Sequence, residues 1–238
     1  AMARTLLAAA VRSTLHSNKS SLRSTTTLVR SMATGGLGAQ KAQADPKIRK
    51  FSLEGFTINS GVTLPKQAEL AYRVYGDGPK LAVCGTSYSA CHPDLEFVVG
   101  TIIPKDYTFV VFNMFGNGVT YSPSNDPENY PLTPPKVTNI NDNIRAQKAA
   151  LDADPELAGR KIALTYGFSM GAMQALEWPR AFPDLVEAAC AVCGSSGCTT
   201  YNAVFLDALI TTLESSTTSR ADKLRQFAAI YAGWYVGP

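Results

Sequence analysis

The sequence predicts an α/β domain in which a mostly parallel sheet is flanked by helices. Short runs rich in β-branched and aromatic residues recur along the chain, at 80–85 (KLAVCG), 107–113 (YTFVVFN) and 161–167 (KIALTYG). Stretches with helical spacing of apolar residues, at 138–153 and 170–178, separate or follow these runs. Strands that alternate with helices form parallel sheets, because each crossover returns the chain to the same end of the sheet. The composition, 45% hydrophobic and 17% charged, is that of a globular chain.

Residues 1–48 are predicted to form an organelle transit peptide and a linker, both without stable structure. The first 44 of the 238 residues carry six Lys or Arg and no Asp or Glu, and Ser and Thr are frequent. This composition is typical of transit peptides. A secretory signal is less favoured because Arg12 interrupts a short apolar core, and a plain disordered tail is a further alternative. We expect a mitochondrial location, with a plastid, or the cytoplasm through a second start at Met32, as alternatives.

The positive charge of the chain lies in this leader and does not indicate nucleic-acid binding. The formal net charge is +3, but the residues after position 44 hold 16 basic and 19 acidic side chains. They show no basic stripe interleaved with aromatic residues, and no apolar run reaches membrane-spanning length. The sequence therefore favours a small-molecule substrate over nucleic acid or a membrane, and it predicts no bound cofactor.

Residues 49–198 are predicted to form the sheet domain, with order beginning near Phe51. The long segment 114–135 is rich in Gly, Pro, Asn and Ser, so it is predicted to be functional or disordered. Thr138 is the expected N-cap of the helix that follows. The further elements in chain order are a strand at 70–76, a helix opening at His92 and a strand at 184–192.

The tail, residues 199–238, has a different pattern from the sheet domain. Two amphipathic helical stretches, 202–214 and 221–234, follow one another with no strand between them. They are predicted to begin a helical cap.

Five cysteines are present, and Cys190 and Cys193 have the C-x-x-C spacing of some zinc and redox sites. The segment around them has the pattern of a buried strand, on which residues three apart point to opposite faces. No second C-x-x-C or pair of His follows. We therefore predict buried thiols and no metal site.

The segment YGFSMGAM contains the pattern G-x-S-x-G. Such a serine lies in a tight strand-to-helix turn that exposes its hydroxyl at the end of the sheet. Gly167 and Gly171 allow strand and helix to approach closely, and the helix N-terminus favours negative charge beside Ser169. We predict that Ser169 is a catalytic nucleophile, that the N–H of Met170 is one donor of an oxyanion hole, and that the loop 85–90 supplies a second. An ordinary turn serine is the alternative.

Beyond this motif, the chain resembles homoserine O-acetyltransferases and their close α/β-hydrolase relatives. The segment YGFSMGAMQALEWPRAFPD is similar to the nucleophile segment of that family. LAYRVYG, NMFGNGVTYSPSN, TNINDNIRAQKAALD and VCGSSGCTTYNAVFLDAL resemble further family segments in family order, and FAAIYAGW is similar to the early cap region. The likeness runs from about Phe51 to Trp234.

The resemblance implies an α/β-hydrolase fold in which Ser169 accepts the acyl group and Tyr88 supplies the second oxyanion N–H. It implies transfer of an acetyl group from acetyl-CoA to the hydroxyl of homoserine, a step toward methionine. Hydrolysis of esters is the alternative activity, and a homodimer is a further expectation. Because no phosphate-binding motif is present, acetyl-CoA is implied by the resemblance alone.

The chain departs from the family pattern in three places. Ala172 stands where the family commonly has Gly. Pro179 replaces a helix former and is predicted to kink or end the helix at about Trp178. No histidine follows Ser169, although the order in this fold is serine, acid, histidine. We expect the last strands, with the triad acid and histidine, to be absent, so that this chain is an inactive N-terminal part of the enzyme; a non-catalytic homologue is the alternative.

His92 is the one histidine outside the leader, so it is a candidate replacement for the base. Its place before the serine breaks the usual order, and a local structural role is therefore favoured. Asp94 and Glu96 beside it are predicted to be solvated or capping acids, and Arg145 is predicted to form a structural ion pair.

Overall fold

The computed structural model describes residues 37–132 and 136–235. The predicted transit peptide lies outside these residues over positions 1–36. The chain divides into two compact units, residues 1–194 and 195–238, and each is described by itself. No helix in the described part of the chain is both long and apolar enough to cross a membrane.

The first unit is built on a six-stranded sheet that is mostly parallel, as predicted. Its strands are β1 (Arg49–Ser52), β2 (Glu69–Tyr75), β3 (Lys80–Gly85), β4 (Tyr107–Phe112), β5 (Ile162–Phe168) and β6 (Ala189–Val192). They lie in the order β1-β2-β4-β3-β5-β6. β2 pairs antiparallel with β1 and β4, whereas the remaining pairs are parallel. β1 was not among the predicted strands.

Alternating side chains of the central strands fill two separate cores. In β3, Leu81 and Val83 lie in the larger core, while Ala82 and Cys84 lie in the smaller one. This follows from the two-residue period of a strand, which sends successive side chains to opposite faces. A central strand buried on both faces is apolar throughout, and this explains the continuous apolar run that predicted it.

Three helical segments of this unit were predicted, and each differs somewhat from the prediction. The long ones are α2 (Ile140–Ala153) and α3 (Met170–Ala181), and the segment His92–Val98 is a short 3-10 helix. The N-cap of α2 is Asn139 rather than Thr138. The Asn139 side chain accepts a hydrogen bond from the N–H of Asp142 (2.9 Å), and the Asp142 carboxylate accepts one from the N–H of Asn139 (3.1 Å). Asn is a stronger N-cap than Thr.

The sequence predicts that Pro179 kinks or ends α3 at about Trp178. The predicted end is wrong, because the helix continues to Ala181, and the kink stays a prediction. Proline lacks the N–H that would donate to the carbonyl four residues earlier, here that of Ala175. The Thr165 hydroxyl on β5 donates to that carbonyl instead, at 2.8 Å. The helix therefore keeps its hydrogen bond through a side chain of the neighbouring strand.

The prediction that residues up to 48 are disordered is wrong for positions 37–48. Residues Leu37–Gln43 form a helix, α1. Ala39 and Ala42 are buried in a small apolar cluster that also contains Ala71 and Val119. Small side chains allow the helix to lie close to the sheet, and they also make the segment resemble a linker in composition.

Asp45 fastens this segment to the sheet domain. Its Oδ2 accepts a hydrogen bond from Arg73 Nε (2.9 Å) and lies 3.2 Å from His92 Nε2. Burial disfavours the charged carboxylate, but hydrogen bonds from the Lys47 N–H and from Arg73 outweigh it and hold the pKa of Asp45 below its ordinary value. Asp45 therefore stays ionised at neutral pH and keeps both contacts.

The long segment after β4 is ordered over its described residues up to 132. Ala71 N–H donates to Thr120 Oγ1 (3.0 Å), and Tyr121 N–H donates to the Glu69 carbonyl (2.9 Å). Gly116 and Gly118 have φ angles of 81° and 86°, in the left-handed region that turns use. The segment thus packs along β2 with its own turns.

The second unit contains two helices, which correspond to the two predicted amphipathic stretches. They are α4 (Thr200–Glu214) and α5 (Arg220–Tyr235). Thr199 caps α4, since its side chain accepts a hydrogen bond from the N–H of Asn202 at 3.2 Å. Large apolar side chains of α4 are exposed, among them Tyr201 at 81% and Val204 at 63%. The role of these helices as a cap stays a prediction.

Replacing Thr165 by Val should lower the free energy of unfolding by about 1–3 kcal/mol, because the Ala175 carbonyl loses its buried donor. Urea unfolding of T165V against the parent chain measures this. In a Pro179→Ala background, the same substitution should lower the free energy of unfolding by about 1 kcal/mol less. The reason is that the N–H of an alanine at 179 can donate to the Ala175 carbonyl. Equal costs in the two backgrounds would contradict the compensation.

Stability should fall as the pH drops below about 6.5, through His92. Burial of the ring lowers the pKa of His92 and outweighs the Asp45 carboxylate, which acts in the opposite direction. Below pH 6.5 the unfolded chain therefore binds a proton that the folded chain does not. The free energy of unfolding should then fall by up to about 1.4 kcal/mol for each pH unit. Urea unfolding between pH 7.5 and 5.5 measures the slope, and His92→Gln should flatten it. An unchanged slope in that variant would assign the dependence to other groups.

Candidate active site

Ser169 occupies the turn between β5 and α3, in a backbone conformation that side chains rarely adopt. Its φ and ψ are 54° and −120°, and such a positive φ is costly for a residue other than glycine. Its N–H donates to the Val192 carbonyl of β6 at 2.9 Å, and its carbonyl accepts from the N–H of Ala172 at 2.9 Å. Among the described residues, no side chain or backbone group is hydrogen-bonded to Ser169 Oγ. Ser169 as a residue is half-buried and precedes the first residue of α3.

Gly167 and Gly171 lie where β5 and α3 almost touch. A Cβ on Gly167 would stand 1.9 Å from the Gly171 carbonyl oxygen, and one on Gly171 would stand 2.6 Å from the Gly85 oxygen. Real Cβ atoms do not approach other atoms so closely. Both positions are therefore restricted to glycine by backbone contacts, and the sharpness of the turn at Ser169 depends on them.

Two further glycines close to this turn were not singled out from the sequence. A Cβ on Gly85 would lie 2.2 Å from Gln174 Oε1, and one on Gly194 would lie 2.4 Å from the Cβ of Ala172. Both lie at or just after the ends of strands that flank β5, which is the signal that could have identified them. Gly194 also accounts for the departure at Ala172, since the methyl group there faces a residue without a side chain.

The loop 85–90 lies against the turn that holds Ser169. The Ser87 hydroxyl donates to the carbonyl of Phe168, and Ser89 has a φ of 61°. Among the described residues, no hydrogen bond is donated by the N–H of Tyr88. Met170 is the first residue of α3, so its N–H has no carbonyl within the helix to bind. Among the described residues, neither predicted oxyanion donor has a hydrogen-bond acceptor, and their role stays a prediction.

A chain of buried polar side chains connects this loop to α2 and α3. Trp178 Nε1 donates to Gln147 Oε1 (3.1 Å), Gln147 Nε2 donates to Gln174 Oε1 (2.8 Å), and Gln174 Nε2 donates to the Thr86 carbonyl (2.8 Å). Sequence reasoning gave neither glutamine a role. Their contacts join segments far apart in sequence, so no local pattern marks them.

His92 is committed to structural contacts at both ring nitrogens. Nε2 lies 3.2 Å from Asp45 Oδ2, and Nδ1 lies 3.1 Å from Asn113 Nδ2. Asn113 Oδ1 accepts from the N–H of His92 (3.0 Å), so its amide nitrogen faces the ring and donates to Nδ1. The imidazole is therefore neutral, with its proton on Nε2, and is fully buried. With Nδ1 already used as an acceptor, His92 has no site left to take a proton from Ser169.

The other charged residues singled out from the sequence also make local contacts. Asp94 Oδ2 accepts from the Cys91 N–H (2.8 Å), which is the expected capping role. Arg145 Nη1 pairs with Asp142 Oδ1 at 3.3 Å, as predicted for a structural ion pair.

The cysteine prediction is wrong in part. Cys84 and Cys91 are buried, and burial raises the pKa of each thiol to about 12. Cys190, Cys193 and Cys198 are instead exposed. The first of these lies on β6, an edge strand whose burial pattern is mostly exposed, so its apolar sequence does not translate into a buried strand. Within the described residues, no group of three or more His, Cys, Asp or Glu could hold a metal ion.

Sequence comparison relates the chain to acetyl-transferring and ester-cleaving enzymes, although no protein-family model matches it. It is 33% identical over 187 residues to an ethyl acetate hydrolase from Pseudomonas veronii, which covers 74% of this chain and 52% of that protein. It is 31% identical over 161 residues to a homoserine O-acetyltransferase from Chlorobium chlorochromatii, covering 61% of this chain and 43% of the relative. The chain therefore spans about half the length of the curated relatives it matches.

Solved structures place the same fold in both kinds of enzyme. The acetyl esterase MekB matches with a TM-score of 0.66 at 24% identity, over 78% of this chain and 58% of its own. Homoserine O-acetyltransferase from Staphylococcus aureus matches with a TM-score of 0.63 at 24% identity, over 77% of this chain and 56% of its own. At 24% identity these solved structures establish the fold alone. The sequence relatives are more similar to this chain, at 33% and 31% identity. The chain therefore has the α/β-hydrolase fold, and its sequence relatives include homoserine O-acetyltransferases and esterases.

Proposed function

We propose that this chain carries the nucleophile and the oxyanion groups of an enzyme that moves acetyl groups through an acetyl-serine intermediate. The observation that carries the proposal is the backbone of Ser169, with a φ of 54° in a turn enclosed by glycines. A strained conformation of this kind persists only where the surroundings impose it, and it is the geometry that presents a nucleophilic serine. An ordinary turn serine needs no such arrangement.

The proposed acyl group is acetyl. The relatives include proteins named ethyl acetate hydrolase and homoserine O-acetyltransferase, and structural neighbours include an acetyl esterase and an acetylester hydrolase. These enzymes differ in the group that receives the acetyl, but their names share the acetyl itself. A small acetyl ester or thioester is therefore the proposed donor, with acetyl-CoA as one candidate.

In the proposed first step, Ser169 Oγ attacks the acetyl carbonyl and a histidine base takes the hydroxyl proton. The carbonyl oxygen becomes an oxyanion that the N–H groups of Met170 and Tyr88 stabilise. The bond to the leaving alcohol or thiol breaks as that group takes the proton from the base. The acceptor oxygen then attacks the acetyl-serine carbonyl while its proton passes to the base. The bond to Ser169 Oγ breaks as that oxygen takes the proton back from the base, and the free serine is regenerated.

Two acceptors are candidates, and each has support among the relatives. Transfer to the hydroxyl of homoserine is supported by the acetyltransferases. Transfer to water, which makes the protein an esterase, is supported by two hydrolases that match 74% and 68% of this chain. Release of free CoA from acetyl-CoA, measured with and without homoserine, separates the two.

We further propose that the base is a histidine outside the described residues. His92 is the only histidine among residues 37–132 and 136–235, and Asp45 and Asn113 occupy both of its nitrogens. A non-catalytic homologue is the competing interpretation, in which no base is recruited. The mitochondrial location and the homodimer are likewise proposals that rest on the sequence.

Replacing Ser169 by Ala in the full-length protein encoded by the gene should lower the hydrolysis of 4-nitrophenyl acetate by at least about a thousandfold, because the acetyl group loses its covalent carrier. Intact-mass spectrometry after rapid quenching should find one acetyl group on the parent enzyme and none on the variant. Ser60→Ala, at an exposed turn serine, is the control and should retain full activity. Acetylation that persists in S169A would mean that another residue is the nucleophile.

The 238-residue chain carrying His16→Gln should turn over 4-nitrophenyl acetate no faster than the same chain that also carries Ser169→Ala, because its described residues hold no free histidine base. Steady-state release of nitrophenolate by the two chains measures this. Activity in the chain that S169A abolishes would show that a usable base lies within these 238 residues.

A further inference from the structure

Gln174 lies at the centre of the buried hydrogen-bond chain and faces the loop that carries Tyr88. It follows Ser169 on α3 by little more than one turn, and it is fully buried. Its amide packs onto the backbone of Gly85, where a Cβ would lie only 2.2 Å from Oε1. The side chain therefore fills the space between the nucleophile helix and the start of the loop.

The direction of each hydrogen bond in this chain is fixed by its two ends. The indole N–H of Trp178 can only donate, so Gln147 presents Oε1 to it and its Nε2 to Gln174. The Thr86 carbonyl can only accept, so Gln174 presents Nε2 to it. Neither amide can flip without leaving two like groups face to face. The contact to the loop is thus fixed as a hydrogen bond from Gln174 Nε2 to the Thr86 carbonyl.

Thr86 is held from both sides. From the β4 side, its N–H donates to the Phe112 carbonyl (2.9 Å) and its hydroxyl accepts from the Met114 N–H (3.0 Å). From the α3 side, its carbonyl accepts from Gln174 at 2.8 Å. The Gln174 bond is therefore a direct side-chain link from the helix that begins after Ser169 to the backbone two residues before Tyr88.

We infer that Gln174 is a positioning residue for the oxyanion hole: by holding the Thr86 carbonyl, it fixes the N–H of Tyr88 relative to Ser169. This inference rests on the proposed function of Ser169 and Tyr88. An oxyanion donor stabilises the transition state only if it is in place before the reaction begins. Gln174 touches neither substrate nor reacting atoms, and it acts through the loop.

Two variants separate positioning from general stability. Gln174→Met removes the bond to Thr86 and the bond from Gln147. Gln147→Met is the matched control, because it also removes two buried hydrogen bonds but leaves Gln174 bound to Thr86. Both should lower the melting temperature to a similar extent. If Q174M does not fold, Gln174→Glu keeps the shape of the side chain while replacing the donor nitrogen by oxygen.

The kinetic test uses the full-length protein with 4-nitrophenyl acetate as substrate and phenylboronic acid as a tetrahedral mimic of the transition state. In Q174M, kcat should fall roughly 10- to 100-fold, less than for outright loss of an oxyanion donor. KM should change by less than about threefold, and the affinity for the boronic acid should fall in parallel with kcat. In Q147M, kcat, KM and the affinity for the boronic acid should each stay within about threefold of the value for the parent enzyme. Equal losses of kcat in both variants, or a loss confined to KM, would overturn the inference.

Amide hydrogen exchange of the 238-residue chain tests the same inference without relying on activity. The peptide that covers residues 86–90 should exchange faster in Q174M and remain unchanged in Q147M. Unchanged exchange in Q174M overturns the positioning role whatever the kinetics give. Activity that survives Ser169→Ala overturns the proposed function instead, and the exchange result still decides whether Gln174 holds the loop.

Discussion

The near contact of β5 with α3 is the constraint on which the rest of this structure depends. The chain reverses from strand to helix within one residue, and this is possible only because Gly167 has no side chain to meet the Gly171 carbonyl and Gly171 has none to meet that of Gly85. The cost is concentrated in Ser169, which takes up the positive φ. The contact also draws the end of β3 toward α3, through Gly85, and thereby brings the loop 85–90 beside the serine.

Features that depend on local pattern were predictable from the sequence. The apolar runs of β3, β4 and β5 and the helical spacing of α2 placed these elements within one or two residues. The serine turn was also predictable, because the residues that create it are neighbours in sequence. What could not be predicted are contacts between distant residues. Asp45 orders the N-terminal segment through Arg73 and His92, 28 and 47 positions away, and a composition typical of a linker gives no sign of such partners.

The candidate site likewise has one part that follows from local pattern and another that depends on contacts between distant residues. Ser169, its flanking glycines and the N–H of Met170 belong to one short motif, so sequence reasoning identified them together. Gln174 and Gln147 are 27 positions apart, and each is an ordinary residue in its own helix. Their burial makes them important, because a buried amide without a hydrogen-bond partner destabilises the fold. Two buried amides with fixed partners therefore hold the segments that they join in one arrangement. The structure also removed a candidate, because the contacts of His92 leave it no free acceptor.

The bond from Thr165 to the Ala175 carbonyl bears on which substitutions this chain can tolerate. Proline at position 179 is tolerated because the Thr165 hydroxyl donates to the Ala175 carbonyl, which proline leaves without a backbone donor. With proline at 179, a chain that lost the hydroxyl at 165 would bury a carbonyl without a donor, so these two positions are coupled and the hydroxyl cannot be lost freely.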